Sequence, residues 1–127
     1  MADYTPLYSG GVTPFTRTTS GAVTGGQVVV ASGVNTVAAA GAGSLVVVGV
    51  AAHDAASGAK VAVWPIANCI HEVVTTGTVT ALDGVITAAT GTVGTAAIAT
   101  AAAAGTLIGT ALNTATTGNK VQFLGRN

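Results

Sequence analysis

Charge is scarce in this chain of 127 residues. Four basic side chains (Arg17, Lys60, Lys120, Arg126) balance four acidic ones (Asp3, Asp54, Glu72, Asp83), so the net charge is zero and 6% of residues are charged. A basic face that tracks phosphates is missing, which argues against nucleic acid as a partner. Cysteine is represented by Cys69 alone. No intrachain disulfide can form, and a small disulfide-stapled scaffold is ruled out. The first residues lack a basic stretch followed by an apolar core, so a signal peptide is not expected and synthesis in a cytosol-like compartment is. Aromatics number five (Tyr4, Tyr8, Phe15, Trp64, Phe123), which leaves a core of aliphatic side chains and alanine. Residues 84–119 carry no charge, yet they are mostly Ala, Thr and Gly with few large aliphatics. That is too weakly apolar for a spanning helix, so no membrane association is expected and the Gly105/Gly109 pair reads as two strand-end glycines.

What the chain does have is 26 Ala, 21 Thr, 19 Val and 18 Gly, with 50% hydrophobic residues overall. This is too apolar for intrinsic disorder. Free domains usually keep apart by charged surface, so a charge-poor chain suits packing in an assembly. One domain fits the length.

Residues 1–21 stand apart as an extended N-terminal arm, with residues 22–127 as a single β-rich domain. The arm carries Pro6, Pro14 and the Gly10-Gly11 pair, and its apolar residues have no helical spacing. Three of the five aromatics lie in it. Tyr4, Pro6, Leu7, Tyr8, Val12 and Phe15 are therefore candidate partner contacts, joined by Trp64 as a large anchor. Trp64 is equally well a core plug.

From residue 22 the pattern is all-β, a small barrel or sandwich with at most one short helix. Short β-branched runs bounded by turn residues recur at 27–31, 45–50, 60–64, 69–75, 77–80, 84–88, 106–111 and 120–124. The alanine-rich segment 95–104 reads as either a short helix or a loop. An internal strand–loop–strand duplication is visible. Residues 47–64 align with 107–124 at six identities in 18, including Gly49/Gly109, Ala51/Ala111, Lys60/Lys120 and Val61/Val121. Two such units are expected to face each other across the core.

Chemistry-bearing residues are few. Cys69 and His71 would share one face of a strand, but no further ligand spacing accompanies them, and a buried Cys beside a surface His is expected. His53-Asp54 lacks a nucleophile motif, and Asp54 reads as a turn residue. Gly41-Ala-Gly43 and Gly118-Asn-Lys120 both depart from phosphate-binding loops. No enzyme activity, cofactor or metal site is expected.

Several segments carry a family resemblance. They are the opening Met-Ala-Asp-Tyr-Thr-Pro-Leu, the run Val-Val-Gly-Val-Ala-Ala-His-Asp-Ala-Ala-Ser-Gly-Ala-Lys-Val (47–61), His71-Glu72-Val, and the close Leu107-Ile-Gly with Thr117-Gly118 and Lys120-Val-Gln-Phe-Leu. Together they resemble the small head decoration, or capsid-stabilising, proteins of tailed bacteriophages. The resemblance implies a non-enzymatic cement protein on the outer capsid surface of the virion; the alternative is another phage structural module, a component of the tail tube or of a fibre. The cement protein's partner would be the major capsid protein, and its state a homotrimer. It also implies that residues 2–16 dock on the capsid by strand addition, and that their removal leaves the domain folded.

Overall fold

A computed structural model describes residues 3–126; Met1 and Ala2 of the arm, and Asn127, lie outside the described residues. The fold is all-β. Among the described residues ten strands are present: β1 (Phe15–Thr19), β2 (Val28–Gly33), β3 (Thr36–Ala39), β4 (Val47–Ala51), β5 (Lys60–Pro65), β6 (Ile70–Val74), β7 (Gly84–Thr87), β8 (Val93–Ala96), β9 (Gly109–Ala111) and β10 (Lys120–Gly125). The alanine-rich ambiguity resolves as helix α1, Ile98–Ala104, ended by Gly105 in the left-handed conformation. Gly105 thus caps a helix, while Gly109 does begin a strand.

The first five strands close a barrel in the order β1-β3-β2-β4-β5. The next five form a sheet in the order β6-β10-β9-β7-β8. A parallel bridge, Thr75–Val93, joins the two edges of this second sheet. It sits where the parallel pairing Thr19–Val37 joins β1 to β3 in the barrel. The two halves therefore share one topology, and the duplication extends beyond the segment legible at 47–64.

The correspondence holds residue by residue. Upstream it runs at an offset of 56: Thr19, Gly21, Val23, Thr24, Val29, Thr36, Val37 and Ala40 each find the same residue 56 positions on. Downstream the offset is 60, and the four extra residues fall in the stretch that contains α1. Backbone bonding repeats as well. Gly58 N–H donates to the Thr19 carbonyl and Gly118 N–H to that of Thr75, both at 3.0 Å. Thr19 Oγ1 donates to the Ala56 carbonyl at 2.7 Å and Thr75 Oγ1 to that of Thr116 at 2.9 Å.

Burial follows the same map. The barrel interior is Val23, Val29, Val37, Ala51, Val61 and Val63. Their counterparts Val79, Val85, Val93, Ala111, Val121 and Phe123 lie in the larger core cluster. That cluster also takes in Val28, Ala40 and Val50 of the first unit. The start of strand β2 is thus buried on both faces, Val29 into its own barrel and Val28 against the second unit, as its valine run predicts, while residues 31–33 at its end are exposed.

Two expectations are corrected here. The arm ends earlier than residue 21, because Phe15–Thr19 is barrel strand β1, paired with both β3 and β5. The run 77–80 forms no strand; only Val79 pairs, through an isolated bridge to Ala115.

Candidate functional site

The expected contact residues do not form one free arm. Asp3 bridges His53, and Tyr8 bridges Ile70. Tyr4 N–H donates to the Ala52 carbonyl at 2.8 Å, and Leu7 N–H to that of Ile70 at 2.9 Å. The arm is laid along its own chain, which corrects the expectation that residues 1–21 stand apart from the β-rich domain. Pro6 is buried, Tyr4, Val12 and Phe15 are half-buried, and only Leu7 and Tyr8 are more than half exposed, at 54% and 59%. Trp64 is half-buried in β5, opposite Val50.

The physical reason lies in His71, which is fully buried rather than on the surface. Its Nε2 lies 2.8 Å from the Pro65 carbonyl, which can only accept, so Nε2 carries the proton. Nδ1 is then an acceptor for the Tyr4 hydroxyl at 2.7 Å. The same phenol oxygen accepts the Glu72 N–H at 3.1 Å. Tyr4 thus satisfies the buried His71 Nδ1, which left unpaired would cost roughly 1–3 kcal/mol, and the half-buried Glu72 N–H.

His71 occupies the place that Phe15 holds in the first unit. Phe15 lies opposite Val63, and His71 lies opposite Phe123. The large apolar ring has moved across the strand pair, leaving a polar ring on β6 that the arm must cover. His71 contacts both rings, Tyr4 at 5.9 Å and Phe123 at 5.7 Å between centroids.

Burial holds the His71 imidazole below its ordinary pKa of 6.5, with the hydrogen bonds to the Pro65 and Ile66 backbone opposing that shift. Burial also raises the Tyr4 phenol and the Cys69 thiol. The sign follows. Below about pH 6.5 the unfolded chain takes a proton at His71 that the folded one refuses, so stability falls with acid. Above about pH 9 the unfolded chain releases protons that the folded one keeps, and stability falls again. Thermal unfolding across pH should show a plateau between these limits. His71→Gln, which keeps a donor but does not titrate, should flatten the acid limb; an unchanged limb contradicts the assignment.

The other polar residues are engaged in structure. His53 Nδ1–H donates to the Asp54 carbonyl at 2.9 Å, and Nε2 accepts the Ala62 N–H at 3.3 Å. In the second unit, Asn113 Oδ1 accepts the Gln122 N–H at 2.9 Å in the same place. Asp54 accepts the Gly25 N–H at 2.9 Å, as a turn residue does. Cys69 is buried, with Sγ 3.7 Å from the Ser9 carbonyl. Among the described residues no three His, Cys, Asp or Glu side chains converge on a point, and no helix is long and apolar enough to cross a membrane.

The class defined by this architecture is an all-β protein of two related five-stranded units, a closed barrel and a sheet of the same strand order. Its sequence matches no family profile and no curated protein. In three dimensions it is similar to the head fiber gp8.5 N base in bacteriophage phi29, with a TM-score of 0.68 and 19% identity. The match covers 89% of this chain and 92% of that one, so the likeness takes in both units.

Proposed function

We propose that this chain is a non-catalytic structural protein of a phage virion, bound to the outer surface of the mature capsid. There it braces neighbouring major capsid subunits, as a homotrimer. The observation that carries this reading is the likeness, over 89% of this chain and 92% of that one, to the head fiber base of a phage. The charge-poor composition and the resemblance to head decoration proteins point the same way. The head-fiber likeness equally favours a second reading, in which the chain is the base of a fibre mounted on the head.

The mode of attachment differs from that expected of the arm. Tyr4 and Pro6 are used within the chain, which leaves Leu7, Tyr8 and the exposed part of Trp64 to meet the capsid. Leu7 and Tyr8 hold the arm through backbone bonds, so their side chains can change without loss of fold. Co-sedimentation with empty mature capsids tests the reading. The natural protein should pellet with them, and Leu7→Asp with Tyr8→Asp should weaken binding at least tenfold, the range of an interface hot spot. No binding by the natural protein contradicts the proposed function; undiminished binding by the variant contradicts the assigned contact.

A further inference from the structure

The two units of the chain meet through a contact that has an unfilled counterpart. In that contact, the turn 24–27 and the loop 40–44 of the first unit hold the 87–91 turn of the second. Gln27 Nε2 donates to the Thr90 carbonyl at 3.2 Å. Gly91 N–H donates to the Ala40 carbonyl at 2.8 Å, and Gly43 N–H to that of Thr87 at 2.9 Å. A cavity of about 330 Å³ lies there, with Gly26, Gln27, Val73, Thr90, Gly91 and Lys120 in its wall.

The duplication places an equivalent site on the first unit. Residues 31–35 correspond to 87–91. They are exposed throughout, with Val34 at 91%. Beside them lies a cavity of about 240 Å³ lined by Thr16, Arg17, Thr18, Asn35 and Lys60. Each of these five is the repeat counterpart of a residue lining the larger cavity: Glu72, Val73, Val74, Gly91 and Lys120. It is the same site without its cover.

The equivalent of the covering turn exists too, on the second unit. Thr80–Asp83 corresponds to 24–27, and both turns bond alike. Thr24 N–H donates to Gln27 Oε1 at 2.9 Å, and Thr80 N–H to Asp83 Oδ2 at 3.1 Å. Leu82, in the place of Gly26, is 77% exposed. Asp83 stands in the place of Gln27, and the open cavity it would reach is lined by two cations, Arg17 and Lys60. Apolar tips and opposite charges therefore match between the two ends of one chain.

We propose that copies of this chain associate head to tail. The Thr80–Asp83 turn of one copy covers the open end of the first unit of the next, around Arg17, Val34 and Lys60. A contact of this heterologous kind closes into a ring when the rotation permits. Three copies would make a ring of six similar units, the proposed homotrimer in a specific form. The inference concerns self-association only and stands or falls separately from capsid binding.

Sedimentation equilibrium of the full chain, without capsids, tests it from micromolar to millimolar concentration. The natural protein should reach a multiple of the chain mass, with three expected. Arg17→Glu and, independently, Val34→Asp should give monomers with unchanged melting temperature, both side chains being exposed. Arg17→Lys, which keeps the positive charge and leaves the Asp83 carboxylate in its turn bonds to Thr80 N–H and Thr95 Oγ1, should keep the assembly. A natural protein that stays monomeric at every concentration overturns the proposal, including the case in which capsid protein covers this end instead. So does a natural mass retained by both Arg17→Glu and Val34→Asp, or an assembly lost equally in Arg17→Lys and Arg17→Glu.

Discussion

Replacing Phe123 by alanine should cost about 3–5 kcal/mol, the range for losing a buried aromatic side chain and leaving a cavity. Phe123 is fully buried and is the largest side chain in the core. Its ring lies against His71 across the β6–β10 pair, at the position that Val63 holds in the first unit. Collapse around the void is hindered because Gly109, whose added Cβ would lie 2.7 Å from Phe123 Cδ2, has no side chain to move in. A second readout separates packing from chemistry. With the ring gone, water reaches His71, and its pKa should rise toward the ordinary 6.5. Chemical denaturation gives the first quantity and histidine titration by NMR the second. A loss below about 1 kcal/mol would show that the site repacks.

The second large effect is expected at a pair of glycines. A Cβ on Gly49 would run into the Trp64 carbonyl oxygen and lie 2.7 Å from Val63 Cγ1. A Cβ on Gly109 would lie 2.5 Å from the Leu124 carbonyl oxygen and 2.7 Å from Phe123 Cδ2. Trp64 and Val63 are the repeat counterparts of Leu124 and Phe123, so the same steric demand is made twice. In both places the obstacle includes backbone, which cannot swing aside as a flexible side chain would. Gly49→Ala and Gly109→Ala should each cost about 1–3 kcal/mol, toward the upper end. Gly94 is the control. A Cβ there would meet nothing closer than 3.5 Å, and Gly94→Ala should be neutral or stabilising by up to about 1 kcal/mol. Equal stability for all three variants would contradict the close strand approach.

Much of this architecture was legible in the chain and some was not, for identifiable reasons. The valine runs of β2 and β4, and the alternation of β5 and β10, marked strands because large apolar residues fell at strand spacing. Strands β3 (Thr36–Ala39) and β8 (Val93–Ala96) passed unnoticed, each presenting one valine among small residues. Strand β1 (Phe15–Thr19) was concealed behind Pro14 and a polar Thr-Arg-Thr-Thr stretch. Pro14 also has a physical role. It corresponds to Ile70, whose N–H bonds the Tyr8 carbonyl at 2.8 Å, and a proline there offers no donor to an added strand. The duplication was visible downstream at offset 60 and hidden upstream, because four extra residues before β9 shift the register to 56.

That shift also explains why His71 was misread. Read alone, a histidine beside Glu72 suggests a solvated strand. Aligned at offset 56 it falls on Phe15, an apolar position, and a polar ring there requires buried partners. Tyr4 is the partner, so the aromatic content of the arm reflects an internal debt of hydrogen bonds as much as a surface for docking. Deleting residues 2–16 would strip Tyr4 from His71 and remove Phe15 and Thr16 from β1. Loss of fold is then expected, in place of the intact domain anticipated for a free arm. The charge poverty keeps its meaning. It suits a chain whose surfaces face neighbours, and in the proposed association the few charges at Arg17, Lys60 and Asp83 set the register.

The proposed capsid role is tested most directly by cryo-microscopy of mature phage heads incubated with the purified natural protein. The account predicts additional density with the shape of the barrel and its companion sheet on the outer surface of the shell, over the junctions between major capsid subunits. Bare capsids at saturating protein, or density confined to the tail, would contradict it.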